Sequence, residues 1–131
     1  MKFTLPGMKQ FEAHYDEHKA RPFFADLIKF ATSGPVCAMV WEGEDVIATS
    51  RYMIGATNPA VADVGSLRAD YALSRRKNCV HASDSTESAA REISLWFNKE
   101  ELVNYNRTMD QWIYEDVHAT ETTVQRKRVV K

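Results

Sequence analysis

The chain has 131 residues with 17 basic and 18 acidic side chains, a formal net charge of −1, and two cysteines. That length suits one globular domain around one core, and the balanced charge gives no whole-protein field for nucleic acid or an anionic membrane, so any anion site must be local. Cys37 and Cys79 stand in no metal-ligand or redox spacing, which argues against a disulfide scaffold, and no apolar run makes a secretory leader or a membrane span of roughly twenty residues, so a soluble, cytoplasmic protein is expected.

Pro6 to His18 opens on proline and glycine and places Met8, Phe11 and Tyr15 at spacings of three and four, which predicts a short helix. A second helix is predicted over Pro22 to Thr32, where Phe23, Phe24, Leu27, Ile28 and Ala31 keep helical spacing before Ser33 and Gly34. The apolar run Val36 to Trp41, opened by Pro35 and closed by Gly43, predicts a central strand covered on both faces. Asp45 to Gly55 reads as helix with Gly55 as its stop. Ala56 to Ala69, with Pro59, Gly65 and many small residues, reads as a long ordered loop, and loops of that length usually serve a function.

Asp84 followed by Glu87 resembles a capping box and predicts a helix whose apolar stripe is Ala89, Ile93, Trp96 and Phe97. Glu92 falls on the edge of that stripe, a carboxylate held beside the core. Beyond Tyr114 the composition turns to Glu, Thr, Gln, Lys and Arg, so residues 1–115 read as the domain and 116–131 as a flexible tail. The tail's Arg126, Lys127 and Arg128 could touch phosphates, but short basic termini are more often simply solvated, and nucleic-acid binding is not expected.

The segment carrying chemistry is Asn78 to Ser85, which sets His81 immediately before a capped helix start. Exposed N–H groups and the helix dipole favour an anion there, and neutral imidazole is a competent nucleophile near pH 7. Taken alone, a histidine at such a place is more often packed or solvated than catalytic. Glu92 and Ser83 can reach back to hold the ring, and Arg51, Thr57 and Arg68 offer donors of the kind that phosphoryl transfer needs around the moving group.

Asn78-Cys79-Val80-His81-Ala82-Ser83-Asp84 resembles the nucleoside diphosphate kinase signature N-x-x-H-G-S-D, with Ala82 in the glycine place. The likeness runs from Lys2 to about Glu115 and includes Arg21-Pro22-Phe23-Phe24, Met39-Val40-Trp41-Glu42-Gly43, Gly55-Ala56-Thr57-Asn58-Pro59 and Trp112-Ile113-Tyr114-Glu115. It implies that His81 takes the γ-phosphate of a nucleoside triphosphate and hands it to a nucleoside diphosphate in a ping-pong cycle. By the same resemblance Arg51, Thr57 and Arg68 are phosphate ligands, Asn78 a ribose contact and Phe23 the ring under the base. Tyr15 is a hydroxyl close to the histidine, and Ser83 and Glu92 orient it. Mg²⁺ is implied on the nucleotide's phosphates with no dedicated protein metal ligand, and a homo-oligomer is implied, hexameric where the full fold is present, with Ala56 to Ala69 at a trimer contact.

The implied fold is α+β, a ferredoxin-like antiparallel sheet with helices on its faces, N-terminally truncated. The family's first strand, with its Lys-Pro-Asp segment, and its first helix precede the region where this chain starts. Loss of that lysine as a preorganised donor costs on the order of a hundredfold in rate, and the absent strand implies a gap in mid-sheet that the tail is not expected to fill. The sequence is accordingly expected to be a shortened gene model or a fragment. The competing reading is a catalytically weak or inactive nucleotide-binding or subunit-interaction module. Arg75 and Arg76 replace an aliphatic residue and a glycine beside the base, where an arginine plane can stack.

Overall fold

In the computed structural model, which describes residues 1–105, 107–113 and 127–130, strand β1 (Lys2–Thr4) leads through Pro6 and Gly7 into helix α1 (Met8–His14). Phe11 and His14, three apart, are the residues this helix buries. The helix was expected to reach His18, but the chain tightens at Tyr15 into a 3₁₀ turn over Asp16–His18. Helix α2 (Phe24–Ala31) buries Ile28 and ends where Thr32 Oγ1 donates to the Ile28 carbonyl at 2.8 Å.

The expected single strand is two, β2 (Val36–Ala38) and β3 (Val40–Gly43), interrupted at Met39. β1 pairs antiparallel with β2 in the register Phe3 to Cys37. Coverage on both faces is not what the structure has: Ala38 is buried while Cys37 and Trp41 are exposed, the alternation of a strand packed on one side. Helix α3 (Val46–Ile54) stops at Gly55, whose φ of 79° suits glycine. A Cβ there would also run into the Ser66 side chain.

The loop expected over Ala56 to Ala69 is less irregular than its composition suggested. It holds a 3₁₀ turn at Pro59–Val61, capped by Asn58, and helix α4 (Leu67–Tyr71) begins inside it. Helix α5 (Thr86–Trp96) starts one residue later than expected: Ser85 is the N-cap, its Oγ accepting the Ser88 N–H at 3.1 Å. Ala89, Glu92 and Trp96 are its buried positions, at i, i+3 and i+7. A short helix, α6 (Asp110–Ile113), follows.

Most of the expected tail lies outside the described residues. Residues 127–130, however, form strand β4, antiparallel to β3 with Trp41 opposite Val129 and Gly43 opposite Lys127, and β4 runs beside α5 and α3. The tail was expected to be flexible and to leave a mid-sheet gap unfilled; at these four positions it is a strand, in a two-stranded sheet with β3 that is separate from the sheet of β1 and β2. An edge strand offers unpaired N–H and C=O groups to any extended segment within reach, and the sequence there contains two consecutive valines, strong strand formers.

The core lies where α1, α2 and α5 meet β2, with Phe11, Ile28, Ala38, Trp96 and Phe97 buried together. A smaller cluster of Ile54 and Ala82, flanked by Val46, Ile47, Leu67 and Val80, anchors the segment before α5 to α3 and α4. The smaller cluster takes in Val80 and Ala82, on either side of His81.

Candidate active site

His81 is presented by a segment without regular structure whose course is set by local strain and by two arginines. Cys79 has φ 59°, a left-handed conformation uncommon for a residue with a Cβ, and the Val80 N–H donates to the Asn78 carbonyl at 2.7 Å. Arg68, 5% exposed, donates from Nη1 to the Gly55 carbonyl and from Nη2 to the Val80 carbonyl, both at 2.9 Å. Arg51 donates from Nη1 to the Ala82 carbonyl at 3.2 Å. The carbonyls on either side of His81 are thus each held by a guanidinium. Ala82, in the place where the resemblance has glycine, has no positive φ and packs its methyl fully buried against the Ile54 cluster, so the substitution is absorbed by the core.

The imidazole is tied on one nitrogen. His81 Nε2 lies 2.9 Å from Glu92 Oε2, and Ser83 Oγ donates to the same oxygen at 2.6 Å. Glu92 is 3% exposed. Burial works to raise its carboxyl, but the hydrogen bond and charge of His81, the Ser83 hydroxyl and His14 outweigh that and leave it below the usual carboxylate range. Among the described residues no hydrogen bond engages His81 Nδ1, and the side chain is 34% exposed. Tyr15 stands edge-on to the ring with centroids 6.3 Å apart. Burial first, and then the Glu92 charge, push its hydroxyl up to about 12, so it stays protonated.

The two guanidiniums lie close enough for Arg51 to act on Arg68, whose ionisation is lowered first by burial and then by that like charge. Arg68 Nε and Ser66 Oγ, both buried, have no hydrogen-bond partner among the described residues. Two guanidiniums are thus gathered on the carbonyls flanking a partly exposed imidazole, in a protein of nearly neutral net charge.

Of the residues nominated from sequence, His81, Ser83, Glu92, Tyr15, Arg51 and Arg68 are brought together. Among the described residues no side-chain hydrogen bond ties Phe23, Thr57 or Asn78 into this cluster. Thr57 is exposed after Gly55 and Asn78 is partly buried. Phe23 is 42% exposed at the start of α2, but it joins the site through a row of rings: Phe23 to His18 at 5.9 Å, His18 to Tyr15 at 6.2 Å, then Tyr15 to His81. Arg76 Nη1 reaches Asp26 at 3.9 Å, three residues beyond Phe23.

Sequence reasoning missed His14 and read Trp96 only as part of the apolar stripe of α5. His14 is buried and its ring is 4.6 Å from that of His81, while Trp96 Nε1–H donates to His14 Nδ1 at 3.1 Å. His14 falls three after Phe11 and Trp96 four after Glu92, helical spacings that put each on the inner side of its helix.

His14, His81 and Glu92 each bring one ligand-type atom within 4.8 Å of the others. The donor set does not fit Mg²⁺, which takes oxygen in octahedral geometry and is seldom held by imidazole. It also fits a transition metal poorly. An indole N–H can only donate, so His14 Nδ1 is an acceptor and the proton of the neutral ring sits on Nε2, leaving no lone pair for a metal.

Residues 1–102 match the family model described as nucleoside diphosphate kinase. A nucleoside diphosphate kinase from Carboxydothermus hydrogenoformans is 59% identical over 120 residues, covering 86% of this chain and 80% of the relative. Among solved structures, a nucleoside diphosphate kinase family protein from Babesia bovis superposes with a TM-score of 0.81 at 45% identity, over 86% of this chain and 76% of its own. A halophilic nucleoside diphosphate kinase from Halobacterium salinarum in complex with CDP does so with a TM-score of 0.81 at 41% identity, over 87% and 76%. These likenesses carry the α+β, ferredoxin-like architecture with them.

Proposed function

Because the chain belongs to the nucleoside diphosphate kinase family, whose activity is transfer of the γ-phosphate of a nucleoside triphosphate to a nucleoside diphosphate, we propose that His81 carries the phosphoryl group between the two nucleotides. The observation that supports this most strongly is the 2.9 Å contact of His81 Nε2 with buried Glu92, which leaves Nδ1 as the open nitrogen. The Nδ1 lone pair attacks the γ-phosphorus, the N–P bond forms, and the bond to the β–γ bridging oxygen breaks with its electron pair leaving on the nucleoside diphosphate. The proton stays on Nε2, where Glu92 offsets the positive charge that develops on the ring. The second half-reaction reverses these steps onto a different diphosphate.

Arg51 and Arg68 hold the His81 loop and supply positive charge to the transferring group, while Ser83 orients Glu92. Tyr15 faces the imidazole as a neutral hydroxyl. Thr57 is assigned to the phosphates, Asn78 to the ribose and Phe23 to the base, whose π-face any nucleobase offers. Substrates arrive as their Mg²⁺ complexes, the ion held by phosphate oxygens and water. Exposed apolar side chains at Phe3, Met8, Val61, Val64, Tyr71 and Leu73 support a homo-oligomer, proposed as a hexamer. No described helix is long and apolar enough to cross a membrane, and a cytoplasmic location is proposed.

Incubation with γ-labelled ATP tests the reading. The expected product is an acid-labile, base-stable phosphate on the protein that is discharged by added diphosphate and is absent from His81→Gln. A folded protein that takes up no such phosphate would remove the phosphohistidine cycle.

A further inference from the structure

The segment that carries His81 has no regular structure of its own and is held from two helices. From α5, Glu92 Oε2 lies 2.9 Å from His81 Nε2 and accepts the Ser83 hydroxyl at 2.6 Å. From α3, Arg51 Nη1 donates to the Ala82 carbonyl at 3.2 Å. Hydrogen bonds weaken steeply as their geometry departs from the ideal, so the imidazole is only as well placed as the gap between α5 and α3 is constant.

The two helices rest on different neighbours. α5 packs on α1, where the Trp96 and Phe11 rings have centroids 5.3 Å apart, whereas α3 packs on β3 and α4. Among the described elements, β4 is the one that lies closely beside both helices. It is held there by its antiparallel pairing with β3, from Lys127 opposite Gly43 to Val130 opposite Val40, and Gly43 stands just before α3 begins at Val46. Backbone pairing fixes neighbouring strands at about 4.8 Å from one another, so the two helices share a neighbour whose own position is set. A strand that merely covered the edge of β3 would need no approach to either helix.

We propose that β4 is a positioning strand for the active site: seated in the slot between β3, α5 and α3, residues 127–130 set the separation of the helix that carries Glu92 from the helix that carries Arg51, and through them the place of His81. The slot is a binding site for an extended chain segment, which this protein fills with its own residues. The inference rests on the phosphohistidine reading above and adds to it a support on which the transfer depends.

The test is Arg128→Pro together with Val129→Pro in the full chain. Proline lacks the N–H, and because successive residues of an antiparallel strand face alternate sides, one of the two lost donors is a ladder donor. The variant should let the Val40–Gly43 amides exchange rapidly and take up phosphate from ATP about tenfold to a hundredfold more slowly in a single turnover. Nucleotide affinity should change little, while the nitrogen-15 resonance of His81 Nε2 moves away from its wild-type position. A synthetic peptide of residues 122–131 added to the variant should return both the rate and the resonance. If the double proline variant does not fold, Val129→Gly with Val130→Gly keeps every N–H and weakens the strand preference instead, and the same readouts should move in the same direction by less. Mere edge cover would lower the urea midpoint and leave the rate of the folded protein and the His81 resonance as in wild type. Either folded variant with those two readouts unchanged, while Val40–Gly43 exchange rapidly, would overturn the proposal, as would a peptide that binds and restores neither. Wild type without any phosphohistidine would instead defeat the reading on which it rests, and the His81 resonance would still decide the role of β4.

Discussion

Nε2 of His81 and Oε2 of Glu92 stand 2.9 Å apart, joining a half-exposed imidazole to a carboxylate that water scarcely reaches. In such surroundings a charge-assisted hydrogen bond contributes about 1.5–3 kcal/mol. Glu92→Gln keeps the shape and removes the charge that offsets the developing imidazolium. Phosphorylation by ATP should slow by roughly tenfold to a hundredfold, with nucleotide affinity little changed. Quenched-flow measurement of a single turnover checks this, and a wild-type rate would show that the carboxylate's charge is idle.

Arg68 is expected to matter for stability as well as for transfer. Its fork satisfies two carbonyls, those of Gly55 and Val80, and a lysine can reach only part of that arrangement. Arg68→Lys should lower stability by about 2 kcal/mol, the scale of one buried acceptor left unpaired. The change should appear as a lower urea midpoint at unchanged slope, together with a reduced rate of phosphorylation.

Acid should destabilise the fold through His14 before it titrates the ordinary carboxylates. Its pKa is lowered from 6.5 to about 4 by burial first, then by His81 and, less, by Arg91, with Glu92 opposing. The unfolded chain therefore binds a proton that the folded one refuses, and the stabilisation, on the order of 3 kcal/mol, is present above about pH 6.5 and lost as pH falls toward 4. Glu92, also lowered, adds to the loss as pH falls further through the carboxylate range. Urea titrations across this window should give a steep dependence for wild type and a flatter one for His14→Asn. Parallel curves would mean that His14 is protonated alike in both states.

Strand β4 leads to a prediction about β3. Four residues of backbone pairing, Val40 to Val130 through Gly43 to Lys127, should slow amide exchange along Val40–Gly43. Removing residues 127–131 should free those amides and lower stability by about 2–4 kcal/mol, taking roughly 1 kcal/mol for each net backbone hydrogen bond. Hydrogen exchange read by NMR distinguishes this from an unpaired tail, for which the deletion would change neither quantity.

Much of this molecule is written in neighbouring residues. Helical spacing located α1, α2, α3 and α5, because an amphipathic stripe is a property of residues three and four apart. It also put Glu92 beside the core, where the structure has it buried. The segment Asn78 to Asp84, read beside Arg51 and Arg68, carried the family resemblance, and with it the chemistry, before any contact was known. Other features needed the fold. His14 receives its hydrogen bond from a tryptophan 82 positions away, β3 pairs with the end of the chain, and the guanidiniums grip the carbonyls flanking His81 across intervals of 12 and 31 residues. Local pattern sets which face of an element is buried. Which distant element meets that face is decided only when the loops close and the core packs, since contacts so far apart in the chain leave no period to read.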